Sequence, residues 1–282
     1  MRISRIIARL DIKGPNLVKG IGMEGLRVLG KPEDFARSYY NDGADELFCQ
    51  DVVASLYERN NLESVISRIA KEVFIPLTVG GGIRTIDDIR TILRAGADRV
   101  CINTAAIKNP EFVRQASKIF GSSTVVVGIE AIRQPDGQYF AYTDNGRQYT
   151  GVEVVGWARK IEELGAGEIV VTSVNRDGGA EGFDIDLTRK VAEAVSLPVI
   201  AHGGAGRELD ILQVLTEGKA NAVVLASILH YDHIKKSRST DFVTEEGNLA
   251  FLRSGRSFSK INPTDIGHIK NYLNEHSLNV RL

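Results

Sequence analysis

The chain has 282 residues, of which 43% are hydrophobic and 25% are charged, and its formal net charge is −1. This composition is typical of a folded globular protein, and the balanced charge argues against nucleic acid or an anionic membrane as the main partner. No apolar stretch approaches the ~18 residues of a membrane span, and Arg5, Arg9 and Asp11 interrupt the N-terminal apolar run that a signal peptide would need. Cys49 and Cys101 both fall in predicted strands, which favours a reducing compartment. We therefore expect a cytoplasmic protein.

Short runs rich in β-branched residues alternate with amphipathic helical patterns along the chain. We predict strands at 5–11, 45–51, 75–79, 98–103, 124–130, 168–174, 197–202 and 221–227. We predict helices at 33–41, 62–72, 85–93, 110–119, 152–164, 184–194, 207–217 and 264–276. Strict alternation of this kind indicates a parallel sheet with helical crossovers, and eight such units favour a closed (β/α)8 TIM barrel. The length suits one barrel domain over residues 1–282.

One segment breaks this alternation. Residues 231–262 are predicted to form a polar loop, far longer than the roughly 2–6 residues usual between a barrel strand and a helix. Loops that follow barrel strands lie on the active-site face. The basic runs Lys235-Lys236-Ser237-Arg238 and Arg253-Ser254-Gly255-Arg256 are therefore candidates for contacts with a substrate or a partner. A merely solvated excursion is the alternative.

The two halves of the chain repeat three features at a nearly constant offset. These features are an acid that ends a strand, a glycine turn and a small polar turn, found at Asp11 and Glu130, at Gly81-Gly82 and Gly203-Gly204, and at Asn103-Thr104 and Ala226-Ser227. A repeat of this kind predicts a barrel built from two related halves. Each half then contributes one carboxylate and one glycine turn to the same face.

The glycine turns are candidate phosphate sites. A glycine turn at the carboxyl end of a strand can bring backbone N–H groups against a phosphate, and the following helix N-terminus adds favourable partial charge. We predict one anion site at Gly81, Gly82, Asn103 and Thr104, and a second at Asp177, Gly178, Gly203, Gly204, Ala226 and Ser227. Either cluster taken alone is also compatible with an ordinary βα turn.

The two acids are candidate catalytic residues. Asp11 and Glu130 end predicted strands one and five, which lie opposite each other in an eight-stranded barrel. Two carboxylates across the mouth suit general acid and base catalysis on the middle of a substrate held at both ends. The alternative is a pair of structural acids that cap helix N-termini.

Several runs of the sequence are recognisable as a set. They are Arg5-Ile6-Ile7-Ala8, Asp11-Ile12-Lys13, Val18-Lys19-Gly20, Val79-Gly80-Gly81-Gly82-Ile83, Ile102-Asn103-Thr104-Ala105-Ala106, Arg176-Asp177-Gly178 and Gly203-Gly204-Ala205-Gly206. Over nearly the whole chain, they resemble the HisF family, the cyclase subunit of imidazole glycerol phosphate synthase. The resemblance implies a barrel that receives ammonia from a glutaminase (HisH-like) subunit docked on its floor. The ammonia then reacts at the opposite face with a doubly phosphorylated ribulosyl formimino carboxamide ribotide.

The resemblance also implies further site residues. Lys19 falls in the substrate loop. Four charged residues at the starts of strands one, two, four and six match the family's ammonia gate, namely Arg5, Glu46, Arg99 and Glu168. Alternating charges at these positions predict a ring of salt bridges at the barrel floor, with a solvated rim cluster as the alternative. We expect neither a metal nor a cofactor.

Residues near the predicted mouth depart from the family pattern. Glu130 stands where an aspartate is usual, Arg9 and His202 replace small residues, and Gln50 replaces an apolar one. Arg9 has the same strand parity as Asp11 and therefore faces the barrel interior. An unpaired cation there is strongly disfavoured, so we predict an ion pair between Arg9 and Glu130.

These departures favour a diverged paralogue that kept ammonia delivery and changed its acceptor. Proteins of this kind resemble the barrel subunits of bacterial surface-polysaccharide clusters, which serve amidination of acetamido sugars together with a glutaminase and a sugar amidotransferase. A true cyclase of histidine biosynthesis is the alternative. A non-catalytic ammonia conduit, or activator of a glutaminase, is a second alternative. The identity of the acceptor is not determined by the sequence.

Overall fold

The computed structural model describes residues 3–54, 62–236 and 260–282. Its strands are β1 (Arg5–Lys13), β2 (Asn16–Ile21), β3 (Glu24–Gly30), β4 (Glu46–Asp51), β5 (Leu77–Gly80), β6 (Arg99–Ile102), β7 (Val125–Arg133), β8 (Tyr139–Thr143), β9 (Gln148–Glu153), β10 (Glu168–Ser173), β11 (Val199–His202) and β12 (Ala222–Leu225). Eight of them pair in parallel in the order β1-β4-β5-β6-β7-β10-β11-β12, and β12 pairs with β1 to close the barrel. The predicted TIM barrel is confirmed.

Helices connect successive barrel strands and cover the outside of the sheet. They span Pro32–Asn41, Glu63–Ile69, Ile86–Arg94, Thr104–Lys108, Glu111–Phe120, Val154–Glu163, Ile185–Ala194, Glu208–Thr216, Ser227–Lys236 and Ile266–Glu275. Thr85 and Asp88 form a reciprocal capping box at the start of helix Ile86–Arg94. This satisfies two backbone N–H groups that would otherwise lack partners. Within the described ranges, no helix is both long and apolar enough to cross a membrane.

The two halves of the barrel have the same strand lengths. The first strand of each half, β1 or β7, has nine residues, and the second, β4 or β10, has six. The remaining two strands of each half have four residues each. In both halves the first strand also continues into an antiparallel hairpin, β2–β3 or β8–β9. The half-barrel repeat therefore extends to two hairpins that the sequence reading did not predict.

Alternate residues of each barrel strand face either the helices or the lumen. A separate apolar cluster occupies the lumen and consists of Ile7, Phe48, Cys101, Val126, Val170, Ile200, Ala222 and Val224. Side chains two residues apart on a strand share a face, so Arg9 and Asp11 point into the lumen with Ile7. The lumen is thus apolar in its middle and polar at its mouth.

The prediction of a loop over 231–262 was wrong at its start. Residues Ser227–Lys236 form a helix, and His230 within it is fully buried. The helix begins with the buried residues Ser227 to His230 and continues past the predicted start of the loop. Lys236, expected to reach a substrate or partner, forms salt bridges within the protein. The second basic run, Arg253 to Arg256, lies outside the described residues.

Candidate active site

Four charged side chains meet at the barrel floor. Arg5 binds Glu46 and Glu168, with both nitrogen–oxygen distances 2.7 Å. Arg99 binds the second carboxylate oxygen of each acid, at 3.2 Å for Glu46 and 3.0 Å for Glu168. Every member therefore contacts two opposite charges, and the ring is closed. The structure brings these residues together as expected, and their role as an ammonia gate stays a prediction.

A cavity of about 150 Å³ opens at the other end of the barrel. Its lining includes the whole first predicted anion site, namely Gly81, Gly82, Asn103 and Thr104. Glu130, Arg9 and Phe48 line the same cavity. A predicted phosphate site and one of the two predicted acids thus share a single space.

The backbone at Gly81 explains why glycine occupies the first turn. Its φ is +96°, in the left-handed region that favours glycine. A Cβ there would lie 2.3 Å from the carbonyl oxygen of Asp51 at the end of the neighbouring strand. The related Gly203 has a φ of +93° and the same relation to Ser173, at 2.7 Å. The two turns are therefore equivalent in both halves.

The second predicted anion site lies at the ends of β10, β11 and β12, where the structure keeps it covered. Asp177, Ala226 and Ser227 are buried, at 5%, 5% and 7% exposure. The β2–β3 hairpin lies against this site, because the Gly22 amide donates to the Asp177 carbonyl at 2.7 Å. Gly178 is packed closely against Gly20 of the hairpin. The hairpin therefore contacts the Asp177–Gly178 side of this site.

The predicted Arg9–Glu130 ion pair is wrong. Arg9 Nε instead donates to Asp11 Oδ1 at 2.6 Å, and both side chains are buried. Asp11 follows Arg9 by two residues on the same face of β1, so this pair forms without bringing distant segments together. Glu130 Oε2 instead accepts a hydrogen bond from the Gly146 amide at 2.9 Å.

Asp11 belongs to a chain of buried charges. Lys19, expected in the substrate loop, is buried on β2, and its Nζ lies 3.0 Å from both carboxylate oxygens of Asp177. The same Nζ is 3.7 Å from Asp11 Oδ2, too far for a strong hydrogen bond. Burial disfavours a charged Asp11, but the positive charges of Arg9 and Lys19 outweigh it and lower the pKa of Asp11. Asp11 is therefore ionised at neutral pH.

Glu130 has the opposite environment. Its burial raises the pKa to about 7, and the Gly146 amide and the positive charge of Arg9 offset only part of this effect. The carboxyl can therefore both hold and release a proton near neutral pH. Two carboxyl groups whose pKa values are pushed apart by their surroundings are the arrangement expected of an acid and a base.

The sequence reading missed the turn that covers the mouth. Asp144-Asn145-Gly146 joins β8 to β9, and its Gly146 amide binds Glu130. The Asn145 side chain donates to the carbonyl of Val52 on the opposite half. An Asn-Gly pair between runs rich in aromatic and β-branched residues is the strongest local signal for such a hairpin. That signal was present and identifies the turn in retrospect.

His202, which departs from the family pattern, is buried on the lumen face of β11. Both of its ring nitrogens are buried without a hydrogen-bond partner in the part of the chain that the structure describes. Burial, helped by the positive charges of Arg9 and Lys19, holds its pKa well below the ordinary value. The imidazole is therefore neutral. We have no further physical account of its presence.

We expect the stability of Glu130→Gln, relative to that of the native protein, to increase between pH 4 and pH 8. The folded protein holds the Glu130 proton up to a pH of about 7, whereas the unfolded chain releases it near the ordinary pKa of 4.5. The stability that the protonated side chain contributes is therefore full below pH 4.5 and is lost as the pH rises through 7. Glutamine does not ionise, so the variant should gain about 2–3 kcal/mol in unfolding free energy at pH 8 relative to pH 4. Urea unfolding of both proteins at the two pH values measures this difference.

The exposed Glu275 provides a matched control, since Glu275→Gln removes the same charge from the surface. Its stability relative to the native protein should change little between pH 4 and pH 8. If the unfolding free energy of Glu130→Gln, relative to that of the native protein, were lower at pH 8 than at pH 4, the raised pKa of Glu130 would be contradicted.

Among the residues that the structure describes, no three His, Cys, Asp or Glu side chains are grouped so as to hold a metal ion.

Comparison with known proteins matches residues 5–235 to the model of a family described as "Histidine biosynthesis protein". A Legionella pneumophila protein named "Imidazole glycerol phosphate synthase subunit HisF" is 55% identical over 203 residues, which make up 72% of this chain and 96% of the relative. A protein of the same name from Alkaliphilus metalliredigens (strain QYMF) is 44% identical over 238 residues, covering 84% of this chain and 94% of the relative. Neither name refers to polysaccharides or to sugar amidination.

Proposed function

Since this chain belongs to the histidine biosynthesis protein family, and within it to the HisF family, we propose that it is the cyclase subunit of an imidazole glycerol phosphate synthase. The observation that carries this proposal is the pair of carboxyl groups at the barrel mouth. Asp11 is held ionised, and Glu130 has a pKa of about 7. The cavity beside Glu130 offers backbone and hydroxyl donors to a phosphorylated substrate.

The geometry supports separate roles for the two acids. Asp11 Oδ2 keeps acceptor capacity, because Lys19 is 3.7 Å away, and it can take a proton from the ammonia nitrogen as that nitrogen attacks carbon. Glu130, whose pKa is raised to about 7, can hold a proton near neutral pH and give it to the departing group. Gly81, Gly82, Asn103 and Thr104 are the residues proposed to hold one phosphate. Asp177, Gly178, Gly203, Gly204, Ala226 and Ser227 are proposed to hold the other, beside the β2–β3 hairpin.

We propose a glutaminase subunit as the partner, docked at the barrel floor. The ring of Arg5, Glu46, Arg99 and Glu168 lies there, and the apolar lumen leads from it towards Asp11 and Glu130. A neutral molecule such as ammonia crosses an apolar lumen far more easily than an ion does. The closed ring must open for ammonia to enter, which makes it a suitable gate.

Amidination of a surface-polysaccharide sugar, the reading preferred from the sequence alone, is not supported by the relatives. One of the arguments for it, the predicted pair of Arg9 with Glu130, does not hold, because Arg9 binds Asp11 and Glu130 binds the Gly146 amide. The cyclase, kept as the alternative, fits the comparisons better. A sugar amidotransferase partner is likewise unsupported.

Reconstitution tests the proposal directly. The purified chain is mixed with a glutaminase subunit of an imidazole glycerol phosphate synthase and the doubly phosphorylated substrate, and turnover is followed with glutamine or with ammonium as the nitrogen source. We expect turnover with both. Glu46→Ala, which opens the ring, should alter the glutamine-driven rate while leaving the ammonium-driven rate nearly unchanged.

Two outcomes would count against the proposal. Stimulated glutamine hydrolysis without substrate turnover from either nitrogen source would favour the non-catalytic conduit or activator. No binding and no stimulation of the glutaminase would remove the partner as well.

A further inference from the structure

Arg9 has hydrogen-bonding capacity that the protein does not use. Its Nε donates to Asp11, and no other side-chain hydrogen bond or salt bridge of Arg9 occurs within residues 3–54, 62–236 and 260–282. The four N–H groups on its two Nη atoms therefore have no protein acceptor there. Yet the side chain is only 7% exposed and lines the mouth cavity. The Nη atoms keep some exposure and therefore face the cavity, where they are available to a ligand.

The position of the guanidinium is fixed by its neighbours. The bond to Asp11 holds one edge of the group, and its carbon lies 5.5 Å from the centroid of the Phe48 ring, also in the cavity lining. Because one edge is bound and a ring packs nearby, the guanidinium is held with its Nη groups ordered before any ligand arrives. A planar fork held in this way suits a planar oxygen acceptor.

The charge of Arg9 is already compensated. Asp11 is its partner, and Lys19 and Asp177 complete an alternating row of two cations and two anions. The row has no net charge, so no bound anion is needed to balance the charge of Arg9. A neutral carbonyl oxygen satisfies the free donors as well.

An unused acceptor lines the same cavity. Asn103 contributes to the lining, and its Oδ1 is buried without a hydrogen-bond partner in the described part of the chain. The cavity thus combines free donors on Arg9 with a free acceptor on Asn103. A carboxamide carries both complements, a carbonyl oxygen and an amide N–H.

We propose that Arg9 is a specificity-determining residue that binds the carboxamide oxygen of a phosphorylated substrate. This inference rests on the proposed function. It adds the chemical group of the substrate, a carboxamide, that the middle of the site binds. The phosphate would occupy the Gly81 to Thr104 site, and the carboxamide would lie deeper, against Arg9. Asn103 would accept from the carboxamide nitrogen.

Calorimetry with three small phosphates on the full chain tests this inference. The probes are 2-phosphoglycolamide, 2-phosphoglycolate and ethyl phosphate, which differ only in the group beyond the phosphate. We expect the amide to bind about tenfold more tightly than ethyl phosphate, as one charge-assisted hydrogen bond allows. Arg9→Lys keeps a positive charge beside Asp11 but lacks the planar fork, so it should abolish this preference while changing ethyl phosphate affinity by less than about twofold.

A surface variant and a second substitution keep the result interpretable. Arg90 is exposed on its helix, so Arg90→Lys makes the same chemical change away from the cavity and should leave the preference intact. Thermal unfolding shows whether Arg9→Lys is folded, and Arg9→Gln, which retains a planar donor, should restore part of the preference. A merely structural arginine would not change selectivity between ligands.

Each outcome decides between the two proposals. Equal affinity of native protein for the amide and ethyl phosphate, or a preference that survives in Arg9→Lys, overturns the role of Arg9 while leaving the cyclase proposal standing. Tighter binding of the carboxylate than of the amide overturns the carboxamide as the ligand. Failure of the native protein to bind any of the three phosphates counts against both the role of Arg9 and the phosphorylated substrate itself.

Discussion

Glu130→Gln is expected to lower ammonia-driven turnover by about 100- to 10,000-fold, the usual effect of removing a positioned proton donor. The amide keeps the size of the side chain and its bond to the Gly146 N–H, so the cavity should be preserved. What it removes is the proton that Glu130 supplies. Steady-state turnover with saturating ammonium and the doubly phosphorylated substrate measures the effect.

The pH dependence identifies which role Glu130 performs. With a pKa of about 7, its protonated fraction falls as the pH rises through neutrality, so native turnover should decline above pH 7. The lowered pKa of Asp11 keeps that carboxylate ionised over the same range, so at a constant concentration of free ammonia the decline belongs to Glu130. The residual activity of Glu130→Gln should lack it. Native turnover that instead rises through pH 7 would make Glu130 the base.

Glu130→Asp is the informative companion variant. It keeps a carboxyl group but retracts it by one methylene, and misplacement by roughly 1 Å can cost about 100-fold in rate. We expect it to lie between the native protein and Glu130→Gln and to retain a pH-dependent decline. The surface change Glu275→Gln should have no effect on turnover. Loss of turnover in that control would indicate a general loss of fold.

Arg9→Ala is expected to reduce the free energy of unfolding by about 3–5 kcal/mol, because it leaves the buried Asp11 without its closest partner. Lys19 compensates only in part, since it is 3.7 Å from Asp11 and is already bound to Asp177. Urea unfolding at pH 7 measures the loss. Arg90→Ala, a matched change at an exposed position, should cost no more than about 0.5 kcal/mol.

Two double variants distinguish the observed partner of Arg9 from the one expected from the sequence. Arg9→Ala with Asp11→Ala removes both charges of the observed pair and should recover part of the lost stability. Arg9→Ala with Glu130→Ala should recover less than the pair with Asp11→Ala, because Arg9 does not bind Glu130. The reverse ranking would show that Arg9 and Glu130 are coupled in solution.

The fold was largely readable from the sequence. The alternation of β-rich and amphipathic runs predicted the order and type of the barrel elements, because side-chain periodicity reflects which face each element buries. Repetition of glycine turns predicted the two halves, and Gly81 and Gly203 do have nearly the same backbone conformation. The β2–β3 and β8–β9 hairpins were missed because no strands were predicted in those two segments, although the Asn145-Gly146 pair marks one of them.

Strand parity in the sequence also determined which side chains enter the lumen. It placed Arg9 beside Asp11. The set of Arg5, Glu46, Arg99 and Glu168 was implied by the family resemblance, and these side chains do meet. Parity depends only on the two-residue repeat of a strand, so it needs no knowledge of distant contacts.

What only the tertiary structure decided is which of the lumen side chains bind one another. Arg9 had two carboxylates within its plausible reach, and only the closed barrel shows that Glu130 binds the Gly146 amide, whereas Arg9 binds its near neighbour Asp11. The pKa values of Asp11 and Glu130 diverge for the same reason, because each depends on desolvation and on charges from other strands. Hydrogen bonds and electrostatic interactions fall off within a few ångströms, so a pattern that locates residues along the chain leaves these pairings undetermined until the barrel has closed.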